Sequence, residues 1–421
     1  MKNVVFILIL AAFFVIPASV WADLTQSQSI QWAKFFDGPF GDHDYLNSAV
    51  VDSQGNIIVT GESWSDSKRD WHTIKYASNG LVIWAKSYDG MAHGPDSAKD
   101  VIVDQNNDVI VVGWSSRDGT GNNRDYLAIK YAALNGNVIW ERRYNGGLPN
   151  PEWNEAGSAV CDGMGNIVIT GYSWNGRDFD YLTIKLSGYD GKILWTRRDV
   201  CLGQGNDYAW DIAVHPDGNI AVTGNSQASP TNSDVFTTLY RSTDGTTVWN
   251  RNYDGPGQES DGGRVVKFDA SGQFVIVAGY ADGLGDGNLD YFAGKYLLAS
   301  GMTVWEKNYS GSMGGNDDAK DVALGSDGSV YLTGISYESN IAADSWTLKC
   351  SATSGVILWQ KRGRPVVDDG AYGIAVDSVG NALITGYGQG ASTVAYAGSD
   401  GAIMWSYSDD RNGTFYNIRF D

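Results

Sequence analysis

Cysteine and histidine are both scarce in this 421-residue chain, at three and four residues. Cys161, Cys201 and Cys350 fall at unrelated places in the pattern described below, so no pair is bridgeable and free thiols are expected. His43, His72, His93 and His215 have no spacing that would gather ligands around zinc. The Gly-x-Ser-x-Gly elbow, the paired-histidine motif and the phosphate loop are missing too, which removes the catalytic motifs legible from spacing alone. Positive charge is short: 30 Lys and Arg face 49 Asp and Glu, giving a net charge of −19 and a pI near 4.5. Nucleic acid is excluded as a partner, because phosphate binding draws on clustered Lys and Arg. Only one long apolar run exists, Val4 to Ile16, preceded by Lys2 and followed by Val20-Trp-Ala22. That arrangement reads as a signal peptide over residues 1–22, with a mature chain from near Asp23 and a periplasmic or extracellular destination. The run is shorter than the roughly 20 residues that span a bilayer, so a membrane-spanning chain is not expected. No cysteine stands at the cleavage site, which argues against a lipoprotein.

Helical periodicity is absent beyond this leader, and a repeat takes its place. The clearest copy runs from Asn154 to Trp195, where Gly157 to Asp162, Asn166 to Gly171, Asp180 to Lys185 and Lys192 to Trp195 read as four short strands. The fourth-strand tryptophan recurs at Trp84, Trp140, Trp195, Trp249, Trp305, Trp359 and Trp405, every 46 to 56 residues. Four strands in a repeat of that length predict an all-β, seven-bladed β-propeller of four-stranded antiparallel blades, with eight blades the alternative. A glycine closes each second strand, at Gly61, Gly113, Gly171, Gly224, Gly279, Gly334 and Gly386, and marks positive φ or close backbone approach. Asp52-Ser-Gln-Gly-Asn56 and its counterparts join first to second strands, and Asn79-Gly80 or Asp190-Gly191 join third to fourth. Because the strands are antiparallel, both tight turns lie on one face and the longer loops share the other. Two residues after six of the tryptophans come Lys86, Arg142, Arg197, Arg251, Lys307 and Lys361, read as protection of the outer edge against sheet pairing. Residues 44–408 hold the seven blades, residues 23–43 contain a fourth-strand match at Ile30 to Phe35 that closes the ring on the last blade, and residues 409–421 begin a partial extra repeat.

Asp96 to Asp104, Gly165 to Gly171 and Asp180 to Lys185 together resemble the bacterial β-propeller repeat family often labelled SBBP, over nearly all the mature chain. Tyr189 to Trp195 also resembles the tryptophan-docking repeat of quinoprotein-like propellers, a shorter match. The first resemblance implies an exported propeller with no assigned chemistry; the second implies a scaffold or a quinone-dependent dehydrogenase. Such dehydrogenases carry an adjacent cysteine pair, which this chain lacks.

A carboxylate or its amide precedes each first strand, at Asp44, Asp96, Asn154, Asp207, Asp261, Asp317 and Asp369. This set either circles the channel mouth as a binding ring or caps the crossover loops through backbone amides, the plainer reading. Asp282, Asp286 and Asp290 stand at positions 1, 5 and 9 of a glycine-bearing loop, as hard-cation loops do, but position 3 is Leu284. No cofactor is expected, with calcium at these three residues the alternative. Aromatic rings follow the second strands at Trp64, Trp114, Trp174, Tyr280, Tyr337 and Tyr387, leading into the long-loop face. They either pack the loops or offer contact area to a ligand. The expectation is a monomeric, non-catalytic propeller binding a glycan, peptide or envelope protein there; a polysaccharide-active or quinoprotein-like enzyme using the same face is the alternative.

Overall fold

The computed structural model describes residues 5–6, 34–35 and 44–409, except 66–67, 147–152, 200–202, 204, 230–231, 258–259, 284, 312–314, 339–341, 364–368 and 389. Seven four-stranded antiparallel sheets succeed one another, each paired in chain order, and no described residue is helical. The third comprises Asn154–Cys161, Ile167–Trp174, Phe179–Leu186 and Ile193–Asp199. Its siblings occupy residues 45–88, 96–144, 207–253, 262–309, 317–362 and 370–409. These are blades 1 to 7 of the β-propeller that the repeat predicts. First strands of successive blades pack on one another, so they line the axis and the fourth strands form the rim.

Six apolar clusters sit between consecutive blades; one joins Ile110, Val112 and Trp140 of blade 2 to Ala156, Ile169 and Leu182 of blade 3. At the two ends of the series the clusters stay within one blade. Ala375, Leu383 and Ala395 gather with Trp405 in blade 7, and Ile57, Ile74 and Tyr76 gather in blade 1.

The second-strand glycines answer to close approach rather than to φ. Each first strand carries a one-residue register shift opposite the glycine, as between Ala156 and Ser158 facing Gly171. The shift drives a carbonyl into the space a side chain would occupy: a Cβ on Gly171 would lie 2.0 Å from Glu155 O, and the other six glycines meet carbonyls at 1.8 to 2.1 Å. Positive φ belongs instead to the turn glycines. Gly191, at φ 68°, lies against the Trp140 ring of the preceding blade, where a Cβ would stand 2.9 Å from ring carbons.

The rim tryptophans do more than fill space. The Trp140 indole donates to Gly188 O of blade 3 at 3.2 Å, and Lys130 Nζ reaches the same carbonyl at 3.0 Å while pairing with Asp104 at 2.7 Å. The same carbonyl-sharing pair recurs as Trp84 with Lys75 on Ala133, Trp195 with Lys185 on Ser242, Trp305 with Lys295 on Ala352, and Trp359 with Lys349 on Gly398. Blade 4 keeps only the tryptophan: Trp249 bonds Leu298 O at 2.7 Å, Leu239 stands in the lysine position, and His215 replaces the aspartate. The cations two residues past the tryptophans also cross to the next blade. Arg142 Nε bonds Gly191 O at 2.7 Å and Arg197 Nε bonds Gly245 O at 2.5 Å, so there the edge-guard residues brace the ring.

Among the described residues Cys161 and Cys350 are free thiols; burial, the largest cause, pushes each up to about 12. Cys201 lies outside the described residues. So do most of the leader and of the expected closing strand and all of residues 410–421. Of the closing strand, Lys34–Phe35 pairs with Val5–Phe6, and blade 7 draws its four strands from residues 370–409.

Candidate functional site

The register shift that explains the glycines also builds the site. In blade 4, Ala209 faces Gly224 and Asp211 faces Thr223, so Trp210 between them has no ladder partner. A bulged residue is turned out of the alternation of its strand, a device used to aim side chains at functional places. The seven residues so placed are Asn47, Lys99, Gly157, Trp210, Arg264, Lys320 and Tyr372, on the axial strands. Apart from the two lysines, Lys99 and Lys320, no two of them are alike. Trp210 is the largest, and it is 38% exposed.

An aromatic band spreads from it. Tyr208 stacks on Trp210 at 5.9 Å and 20°, Tyr172 of blade 3 meets Tyr208 edge-on at 4.9 Å, and Phe179 links Tyr172 to Trp174 at 5.4 and 5.2 Å. On the blade 5 side the Arg264 guanidinium lies 4.9 Å from the Tyr280 ring and 5.8 Å from Trp210, and it pairs with Asp318 at 3.2 Å. On the blade 2 side Arg124 is sandwiched between Trp114 and Trp153 at 3.9 and 4.0 Å and bonded to Glu155. Burial, then the Glu155 charge and its hydrogen bond, raise the Tyr172 hydroxyl far above its ordinary range, so it stays protonated as a donor. The Trp210 indole donates to Asn225 at 2.6 Å, which holds the exposed ring in one orientation.

Deeper on the axis, three carboxylates tie blades together. Asp100 accepts from Ser48 of blade 1 at 2.7 Å and from the Ala159 amide of blade 3 at 3.0 Å. Asp211 accepts from Ser158 at 3.2 Å and the Val266 amide at 2.9 Å, and Asp321 accepts from the Ile374 amide at 3.0 Å. Burial is the main reason that Asp211 is pushed up to about 6.

Of the seven groups that precede the first strands, five aspartates accept backbone amides. Asp96 accepts the Gly90 and Ser116 amides at 2.7 and 3.0 Å, Asp317 the Gly311 amide at 2.6 Å, and Asp207 the Gln227 amide at 3.2 Å. Asp261 accepts the Asp282 amide at 2.9 Å, Asp369 accepts the Ser345 amide, and Asn154 donates to Arg124 O at 3.0 Å. Asp44 is buried at the head of blade 1. Of the aromatic candidates, Trp174 and Tyr280 join the band. Trp114 is 3% exposed beneath Arg124, Trp64 lies near Arg69 in blade 1, Tyr337 is exposed in blade 6, and Tyr387 meets Tyr372 at 5.8 Å in blade 7. Asp282 spends its oxygens on the Gly285 and Gly287 amides at 2.8 and 3.2 Å, and Asp286 caps Asn288 at 3.0 Å. These two and Asp290 are not among the acidic groups close enough to share a cation in the described residues. The two such groups are Asp70 with Asp89 and Asp96, and Asp234 with Asp254 and Asp261. Sequence reasoning passed over Tyr208, Trp210 and Arg264; the readable signal was variation at the third residue after each of the six aspartates and Asn154 that precede the first strands.

The architecture is shared with solved propellers. Sqt1 from Chaetomium thermophilum aligns with a TM-score of 0.60 and 12% identity over 89% of this chain and 87% of its own. BamB from Moraxella catarrhalis aligns at 0.51 and 12%, over 89% and 93%. A quinohemoprotein alcohol dehydrogenase from Comamonas testosteroni aligns at 0.54 and 10%, over 89% of this chain and 68% of that one. At such identities the likeness is one of fold alone. No family model matches the chain and no curated protein does, so the SBBP resemblance rests on its motifs.

Proposed function

We propose that this chain is a non-catalytic propeller that binds a segment of a partner protein across the aromatic band of blades 3 to 5. The observation carrying this reading is Trp210, a bulge residue held by Asn225, exposed at 38% and flanked by Tyr208 and Arg264. A rigid, amphipathic cluster of Trp, Tyr and Arg is the composition of energetic centres in protein interfaces. The net charge of −19 favours a basic segment, through steering and through cation–π contact with the rings. Sqt1, similar in fold, has been solved bound to the N-terminus of ribosomal protein L10, which supports a peptide as ligand of such a scaffold. A glycan has less behind it, since Trp114, one of the three indoles that favoured it, is covered. Residues 1–22 support export and hence an envelope or extracellular partner; an N-terminus near Asp23 on the mature protein would test that.

A displayed peptide library panned on immobilised protein is expected to enrich basic sequences. Trp210→Ala should weaken the selected peptides by about tenfold or more with an unchanged melting temperature, the size expected of an interface centre. Selected peptides that bind Trp210→Ala and Arg264→Ala as tightly as wild type would overturn the assignment.

A further inference from the structure

Between blades 4 and 5, three carboxylates from separate stretches converge. Asp234 sits in the third strand of blade 4, Asn232–Tyr240; Asp254 follows its fourth, Thr247–Tyr253; Asp261 precedes the first strand of blade 5, Gly262–Phe268. One oxygen of each lies within 4.8 Å of the others. Asp234 is 3% exposed; its Oδ2 accepts from Asn252 at 2.8 Å, whereas its Oδ1 has no partner. The buried Oδ1 of Asn232, whose Nδ2 reaches Asp254 at 3.4 Å, has none either. A buried carboxylate oxygen without a donor is costly, and three acids repel one another unless a positive charge is shared among them.

Other blades provide that charge. Three residues past the rim tryptophan, blade 2 has Arg143, which contacts Asp125 at 3.4 Å, and blade 3 has Arg198, which contacts Asp180 at 3.3 Å. Asp125 and Asp180 are the counterparts of Asp234. Blade 4 has Asn252 there and blade 5 has Asn308, so neither side of this junction offers a guanidinium. Among the described residues no ion pair involves Asp234, Asp254 or Asp261. The partners of Asp261 are the amides of Gly255 and Asp282. The sister group Asp70, Asp89 and Asp96 differs: His93 pairs with Asp89, and the Arg143 guanidinium reaches Ser115 close by Asp96.

We propose that Asp234, Asp254 and Asp261 bind a divalent cation of the calcium type at the junction of blades 4 and 5. All candidate donors are oxygens, as a hard cation requires, and exposed Asp254 leaves one side open for water ligands. The cation takes the place that the guanidinium fills in blades 2 and 3. It pins the crossover at Asp261, three residues ahead of Arg264.

The test titrates calcium chloride into chelator-stripped full chain, by calorimetry and by melting temperature. One site is expected, with a melting temperature that climbs as calcium rises. Asp254→Asn, a change at an exposed position, should abolish both responses, while its melting temperature in chelator equals or exceeds that of wild type. Asp89→Asn should leave both responses intact. No heat and no melting shift in wild type overturns the proposal, as does a shift that survives Asp254→Asn. Loss of the shift in Asp286→Ala with retention in Asp254→Asn would transfer the site to the loop of Asp282 and Asp290, and the proposal falls.

Discussion

Lys185→Leu is the sharpest test of how the blades are joined. Lys185 and Asp162 pair at 2.7 Å with side chains 3% and 1% exposed, and Lys185 also donates to Ser242 O at 3.0 Å and Ser242 Oγ at 2.6 Å. Removing one partner of such a pair costs about 3–5 kcal/mol, since the other charge stays buried. Asp162 keeps the amides of Met164 and Asn166 at 2.9 and 2.8 Å and the Asn166 side chain at 3.1 Å, and Ser242 O keeps the Trp195 indole. The loss should therefore fall at the low end, about 3 kcal/mol. Blade 4 shows a joint without the lysine: Leu239 stands in its place, and His215 Nδ1 accepts the Asp217 amide as Asp162 accepts that of Met164, with the Asp217 carboxylate 2.8 Å away. Copying it in blade 3 as Lys185→Leu with Asp162→His should recover all but about 1 kcal/mol. Equilibrium urea unfolding followed by tryptophan fluorescence reads all three proteins. A single-variant loss below about 1 kcal/mol, or a double variant that is worse than the single, would refute the account. Burial alone raises the Asp162 carboxyl, yet the bonds to Lys185 and Asn166 outweigh it and leave it below its ordinary value. Its contribution is thus present above about pH 4 and is lost as pH falls through the lowered folded value.

Gly171→Ala should destabilise by more than about 2 kcal/mol, because its Cβ would meet Glu155 O at 2.0 Å, whereas Gly163→Ala, with nothing within 4 Å, should change stability by less than about 0.5 kcal/mol; equal effects by urea unfolding would contradict the close-approach explanation. Thr170 and Thr183 share a buried bond at 3.0 Å, so Thr170→Val should cost about 1–2 kcal/mol and the double valine variant less, and a larger loss in the double would count against it. Asp211, pushed up to about 6, keeps its proton in the folded chain while the unfolded chain releases it near pH 4. Wild type should therefore lose stability relative to Asp211→Asn between pH 4 and 6, by at most about 3 kcal/mol, the rise from the ordinary value converted to energy, and a difference curve flat over that interval would show that the shift is absent.

The blades were legible because each turn and strand repeats its own chemistry: Asp190-Gly191 demands a tight hairpin, and Trp195 recurs in one register. Gly171 could be assigned to a steric cause from sequence, although choosing close approach over positive φ needed the carbonyl of Glu155. Lys185 and Asp162 were invisible as a pair, since one stands in the third strand and the other in the turn after the first strand of the same blade, at no helical or strand spacing. Trp210 was hidden for a different reason: an inserted bulge residue breaks the alternation by which inward and outward faces are read. The burial of Trp114 was not legible, because the Arg124 guanidinium that lies over its ring comes from the next strand. The Asp234, Asp254 and Asp261 group combines a third strand with the crossover that follows the fourth, so its members become neighbours only when the blade curls back on itself.

Blade 7 breaks the series described above, with Ala395 where lysines stand and Trp405 clustered inside its own blade. Five of the six joints between consecutive described blades hold a tryptophan and a lysine on one carbonyl, and blade 7 has no lysine with which to make another. A circular chain of equal links has no preferred place to fail, but one with a weaker link opens there first, and every other joint then becomes internal to a linear stack. Amide hydrogen exchange should accordingly spread inward from blades 7 and 1, with the middle blades last to exchange.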